Sequence, residues 1–215
     1  MSDLIANIAS EVRKKLQGEG SGHDWWHIER VWKNAKLIGK KEKVDMQIVE
    51  LAALLHDIAD WKFHNGDLTV GPRVARELLE KYQAPKEVIA HVCDIVAHVS
   101  FKGAKVADVM HSLEGKVVQD ADRLDAIGAI GVARAFAYGG HANRALYDPT
   151  KKAELHTSPE AYHKSDNSTV NHFYEKLLLL KDRMWTKTGK KVAAQRHAYM
   201  KKYLEQFFAE WEGTR

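Results

Sequence analysis

The sequence predicts an all-α protein, and three observations carry that expectation. Apolar residues recur at intervals of three and four along most of the chain, no run alternates apolar and polar residues between turn signals, and no fixed-period repeat is present. A chain of 215 residues can bury one substantial core, and no composition shift demands a second, so a single domain over residues 1–215 is expected.

Leu4, Ile5, Ile8, Val12 and Leu16 mark an amphipathic helix over 3–17 that stops at the glycine-rich run 18–22. His23, Asp24, Trp25, Trp26 and His27 open a second helix, whose Ile28, Val31, Trp32, Ala35 and Ile38 share a face as far as Gly39. His27 lies near its start and His23 just outside it. Asp45 is the expected N-cap of a third helix, with apolar residues at 48, 51, 52 and 55, that ends in His56 and Asp57. The stretch 60–67 reads as a polar loop. Pro72 and Pro85 are placed to begin helices over 73–82 and 86–98, where a missing N–H costs nothing. The second of these has Val88, Ile89, Val92, Ile95 and Val96 on its apolar side, with His91 and His98 two turns apart. Residues 100–115 suggest an exposed loop, and one long helix is expected from Val117 through Ile127, Ile130 and Val132 to Phe136. The polar stretch 139–167 is too long for a plain connection and reads as a lid or insertion. Helices over 170–185 and 192–211 close the chain. The last carries Val192, Tyr199, Met200, Tyr203, Leu204, Phe207, Phe208 and Trp211 as core or as a surface that would serve a homodimer.

Composition narrows the function classes. The formal charge of +4 is small against 33 basic and 29 acidic side chains, which points to neither nucleic acid nor a membrane as partner. A single cysteine, Cys93, excludes an intrachain disulfide, fits a reducing compartment, and needs no role beyond a small buried hydrophobe. The N-terminal residues lack a basic region leading into an apolar one, and no segment has the apolar length to span a bilayer, so a cytoplasmic location is expected.

The chemistry gathers where apolar patterns carry ligand-type groups inward. His56 and Asp57 end the apolar run 51–55, and a buried imidazole and carboxylate need a salt bridge, a hydrogen-bond network or a metal ion to offset lost hydration. His27 and Asp122 occupy similar positions on other helices. Two imidazoles and two carboxylates suffice for a divalent ion with coordination positions left open. Spacing alone also allows a satisfied His–Asp pair with Asp122 as a cap or bridge.

Three segments resemble the HD superfamily of metal-dependent phosphohydrolases: residues 23–31 (HDWWHIERV), 54–60 (LLHDIAD) and 120–128 (DADRLDAIG). The resemblance covers about residues 20–137, and Asn171 to Leu177 looks like the tail of small bacterial HD hydrolases. It implies an HD-domain helical bundle with a C-terminal helical extension over about 168–212. His27, His56, Asp57 and Asp122 are then the metal ligands. Asp120 and Asp125 are neighbouring alternatives at the last position, disfavoured because the family's Asp-Arg-Leu pattern falls on Asp122, Arg123 and Leu124. Asp125 would orient a ligand, a water or substrate from behind. Asp60, three residues after Asp57, would serve as general base or water-positioner. Lys62 and Arg123 would act on the reacting phosphate, and Arg30, Lys102, Lys176, His23 and His98 would bind substrate. One divalent ion is implied; Mn²⁺ is favoured on ligand hardness over Fe²⁺, Co²⁺, Ni²⁺, Zn²⁺ or Mg²⁺. The implied substrate is a small soluble phosphate ester or anhydride, foremost a nucleotide, cleaved by a nucleoside triphosphate pyrophosphohydrolase or a nucleotidase. A di-iron oxygenase on the same scaffold and a non-catalytic nucleotide-binding regulatory module are the alternatives.

Overall fold

Among the described residues every regular element is helical. The computed structural model describes residues 2–17, 24–59, 67, 69–100, 108–155 and 167–215. His23, Asp60, Lys62 and Lys102 lie outside them, as does most of the loop expected over 60–67. The described residues form two compact units, one from the chain up to residue 100 together with 108–122, the other from residues 123–215.

The first unit is built around its most apolar helix. Helix α1 (Ser2–Lys15) buries Ile8 and Val12, and α2 (Trp25–Glu42) buries Trp25, His27, Ile28, Val31, Ala35, Ile38 and Gly39. Helix α3 (Met46–Leu55) buries residues on every side, including Leu51, Ala52, Ala53, Leu54 and Leu55, which identifies it as the interior helix. Each such Leu or Val adds about 1.5–3 kcal/mol of transfer free energy. Helices α1, α2 and α5 (Lys86–His98) pack on it, and α4 (Val70–Lys81) packs on α5. The α2–α3 connection is short because Lys43 takes a left-handed conformation (φ 57°) and donates its N–H to the Gly39 carbonyl, 3.1 Å. A Cβ at Gly39 would sit 2.7 Å from the Met46 sulfur, so the Met46 side chain occupies space that a larger residue there would make it leave. Asp45 caps α3 as expected, accepting from the N–H of Gln47 at 2.9 Å and Ile48 at 3.4 Å.

Several elements differ from the sequence expectation. Helix α4 starts at Val70, leaving Pro72 as its third residue, still within the first turn that tolerates proline. Cys93 is buried, donates to the Pro72 carbonyl and has its pKa pushed up by burial, as a packing residue would. Helix α6 (Leu113–Asp125) begins inside the stretch read as a loop, with the Ser112 hydroxyl accepting the Gly115 N–H at 3.1 Å. The long helix expected to run to Phe136 is two helices, because Ile127 is extended and Gly128 has φ +79° before α7 (Gly128–His141). Apolar periodicity runs across that break because both helices bury the same residue types, so pattern alone does not reveal it.

In the second unit, arginines staple the break. Arg196 donates to the Leu124 carbonyl, Arg134 pairs with Asp125 at 2.8 Å, and Arg123 donates to the Arg183 carbonyl. The region expected as one helix over 170–185 is a short helix, α8 (Thr169–Glu175), followed by a 3₁₀ segment (Leu177–Arg183) that buries Leu177 and Leu180, three residues apart. Helix α9 (Lys187–Trp211) starts earlier than expected, with the Thr186 hydroxyl accepting from Gly189 at 2.9 Å. Its aromatic stripe is partly core. Phe136, Phe173, Tyr203 and Phe207 cluster with ring centroids about 6 Å apart, while Tyr199 and Trp211 are exposed. Residues 145–154 are tied to α8 by backbone bonds from Thr169 to Ala145 and from Val170 to Leu146, and by buried Glu175, which accepts from the Glu154 N–H at 3.1 Å and from Asn167 at 2.6 Å.

Candidate metal centre

Four ligand-type side chains from three elements of the first unit converge. On α2, Asp24 accepts the His27 N–H at 2.9 Å, and this N-cap places His27 on the buried face of the first turn. His56 is the C-cap of α3 and Asp57 follows in the turn, where the carbonyl end of the helix favours a cation. Asp122 comes from α6, held beside α2 through Asn34, which donates to the Ala121 carbonyl at 3.4 Å.

One ligand atom from each of His27, His56 and Asp57 lies within 4.8 Å of the other two, and Asp122 stands beside both imidazoles. Nε2 of His27 lies 3.2 Å from Nε2 of His56, 3.5 Å from Oδ2 of Asp57 and 3.6 Å from Oδ1 of Asp122. Nε2 of His56 lies 3.8 Å from each of the same two carboxylate oxygens. Nδ1 of His56 is 2.8 Å from the Ala53 carbonyl, which can only accept, so Nδ1 carries the proton and Nε2 presents its lone pair inward. Ligand atoms each about 2.0–2.2 Å from a shared ion stand about 3–3.6 Å apart, close to these edges. His27 and His56 are buried, Asp57 is 14% exposed and Asp122 28% exposed, so the set opens towards solvent on its carboxylate side. The residues fit a divalent ion: two neutral imidazoles and two carboxylates, with room for further ligands.

The other expected site residues are distributed as follows. Arg30 is half-buried on α2. His98 lies at the end of α5, where its ring meets that of His111 and the side chain of Asp94. Arg123, Asp125 and Lys176 belong to the second unit. Arg123 and Asp125 are buried there in the contacts to Arg183 and Arg134, and Asp120 is fully buried in the first unit. Asp94 and His111 were absent from the sequence reading. The four-residue spacing of Asp94 and His98 on one helix was a visible signal, whereas the approach of His111 is tertiary.

Comparison with known proteins follows the same residues. Residues 25–127 match the HD domain model. The chain is 41% identical over 202 residues to YpgQ of Bacillus subtilis, covering 93% of this chain and 89% of that protein. It belongs to the HD family. Family relatives of known structure cover the chain almost end to end. A protein from Lactobacillus plantarum matches with a TM-score of 0.86 at 37% identity over 99% of this chain and 98% of its own. One from Bacillus thuringiensis, described as an HD-superfamily hydrolase, matches with a TM-score of 0.76 at 41% identity over 98% of both. The structure of YpgQ in complex with ADP matches with a TM-score of 0.72 at 37% identity over 94% of this chain and 97% of that one. No helix among the described residues is long and apolar enough to cross a membrane.

Proposed function

We propose that this HD protein is a metal-dependent phosphohydrolase acting on a soluble nucleotide, with His27, His56, Asp57 and Asp122 as ligands of one divalent ion, Mn²⁺ foremost. The observation that carries this reading is the convergence of their four ligand atoms to within 3.2–3.8 Å of His27 or His56 Nε2. The ADP bound by YpgQ supports a nucleotide as the ligand class.

A bound divalent ion would supply Lewis acidity, making water a better nucleophile and neutralising charge on a phosphate oxygen. His56, its tautomer set by the Ala53 carbonyl, and His27, set by the Asp24 cap, hold the neutral part of the cage; Asp57 and Asp122 bring the compensating charge. Asp60 is the proposed base that orients and deprotonates the attacking water, and Lys62 and Arg30 are the proposed cations for the phosphates, with His23 as a further contact. Asp125, held by Arg134, is proposed to position the α6 terminus next to Asp122 in sequence.

The test is a metal-by-substrate screen on metal-stripped protein with nucleoside mono-, di- and triphosphates. Metal-dependent turnover is expected. Release of pyrophosphate from a triphosphate identifies a pyrophosphohydrolase, and release of orthophosphate a nucleotidase. Nucleotide binding without turnover for any metal would make the protein a binding module and overturn the proposal.

A further inference from the structure

We propose that Asp94, His98 and His111 form a second divalent-cation site in the first unit, taking a Zn²⁺-type ion that clamps the end of α5 to the start of α6. One ligand atom from each of the three lies within 4.8 Å of the other two. Asp94 and His98 are one turn apart on α5, and His111 arrives from the segment that leads into α6.

The contacts are poor as an ordinary ion pair and good as the shell of an ion. Nδ1 of His111 stands 3.3 and 3.4 Å from the two oxygens of Asp94, and Nδ1 of His98 stands 3.3 Å from Oδ1. A charge-assisted N–H···O bond is about 2.7–2.9 Å, so none of these is a well-made hydrogen bond. Nδ1 of His98 also stands 2.8 Å from the Asp94 backbone carbonyl, and ion binding would exchange that contact for ligation by the same nitrogen. The two rings meet edge-on with centroids 4.9 Å apart, and all three side chains reach solvent, so an ion has access and keeps a water position.

The backbone on both sides is held before any ion arrives. Met110 is buried with its sulfur over Gly115, where a Cβ would come within 2.2 Å, and Ser112 accepts the Gly115 N–H, so His111 sits between two anchored neighbours. Gln119 donates to the carbonyls of His98 and Val99 at 3.2 and 3.0 Å and fixes the end of α5. Two imidazoles and one carboxylate suit Zn²⁺, Co²⁺ or Ni²⁺ better than Mg²⁺ or Ca²⁺. Gln119 lies one turn before Asp122 on α6, so an ion at this site steadies the helix that presents Asp122 to the first centre.

Co²⁺ titration of the metal-stripped full chain, read by visible absorption and equilibrium dialysis, tests the site. Wild type should take up two ions per chain, and His111→Ala and Asp94→Asn should each weaken one of the two binding steps more than about tenfold. His56→Ala, or Asp57→Asn if that variant does not fold, should keep the step that His111→Ala loses. Binding by His111→Ala equal in number and affinity to wild type would overturn the second site. Binding by His56→Ala equal to wild type would instead strike at the first centre and leave this proposal standing.

Discussion

His56 shows how a single side chain is set up for the ligand role proposed for it. Its backbone ends α3, its Nδ1–H donates to the Ala53 carbonyl, and burial holds the ring so that Nε2 faces His27, Asp57 and Asp122. His56→Ala and Asp57→Ala should therefore lose bound Mn²⁺ and lower turnover by more than about a hundredfold, with circular dichroism unchanged. Full activity in either variant would remove the ion from the mechanism. Asp60→Asn separates chemistry from binding: metal content should stay at the wild-type level while kcat falls by roughly 10²-fold or more. His172 offers a prediction on stability. Burial, with the cations Lys176 and Arg144 nearby, pushes its pKa from 6.5 down to about 3. Below pH 6.5 the unfolded chain takes up a proton that the folded chain refuses until about pH 3. Stability present above pH 6.5 is thus lost as pH falls through that window, by an amount on the order of a few kcal/mol. Unfolding midpoints measured at pH 7, 5.5 and 4 should fall less steeply for His172→Gln than for wild type.

At the scale of elements, close approaches rather than propensity decide where helices begin and end. Gly131 sits in the first turn of α7, where a Cβ would come within 2.3 Å of the Ala126 carbonyl oxygen, a backbone atom that cannot swing aside. Gly140, near the other end of the same helix, has nothing within 4 Å. Gly131→Ala should cost about 1–3 kcal/mol in chemical denaturation, whereas Gly140→Ala should be neutral or stabilising by up to about 1 kcal/mol. Equal effects at the two positions would show that helix propensity, not the approach of Ala126, sets the cost. The same distinction explains what was readable beforehand. The cap of α3 and the start of α5 follow from Asp45 and Pro85, each of which acts on its own few neighbours. The division of α6 from α7 depends on Arg196 and Arg134, which lie 72 and 9 residues from their partners Leu124 and Asp125, and local pattern does not report such contacts.

For the molecule as a whole, the proposed metal binding would be linked to folding. The four proposed ligands come from three elements separated by up to 95 positions in the chain, from His27 to Asp122, so an unfolded chain has no preformed site. Mn²⁺ at about a hundred times its dissociation constant should stabilise the protein by about 2.7 kcal/mol. Thermal unfolding of wild type should move upward with Mn²⁺ concentration, and His56→Ala should show little of that shift; the same shift in the variant would place Mn²⁺ elsewhere. By itself the sequence determined the all-α class, the interior character of α3, and the positions from which His27, His56, Asp57 and Asp122 enter, because apolar periodicity and capping residues act over one or two turns. Only the tertiary structure decided that His27, His56 and Asp57 gather with Asp122 beside the two imidazoles, and that His111 joins Asp94 and His98. It also decided that Glu175 secures the 145–154 strand of chain, since such meetings depend on how far helices approach one another, and that distance is set by packing between residues remote in the chain.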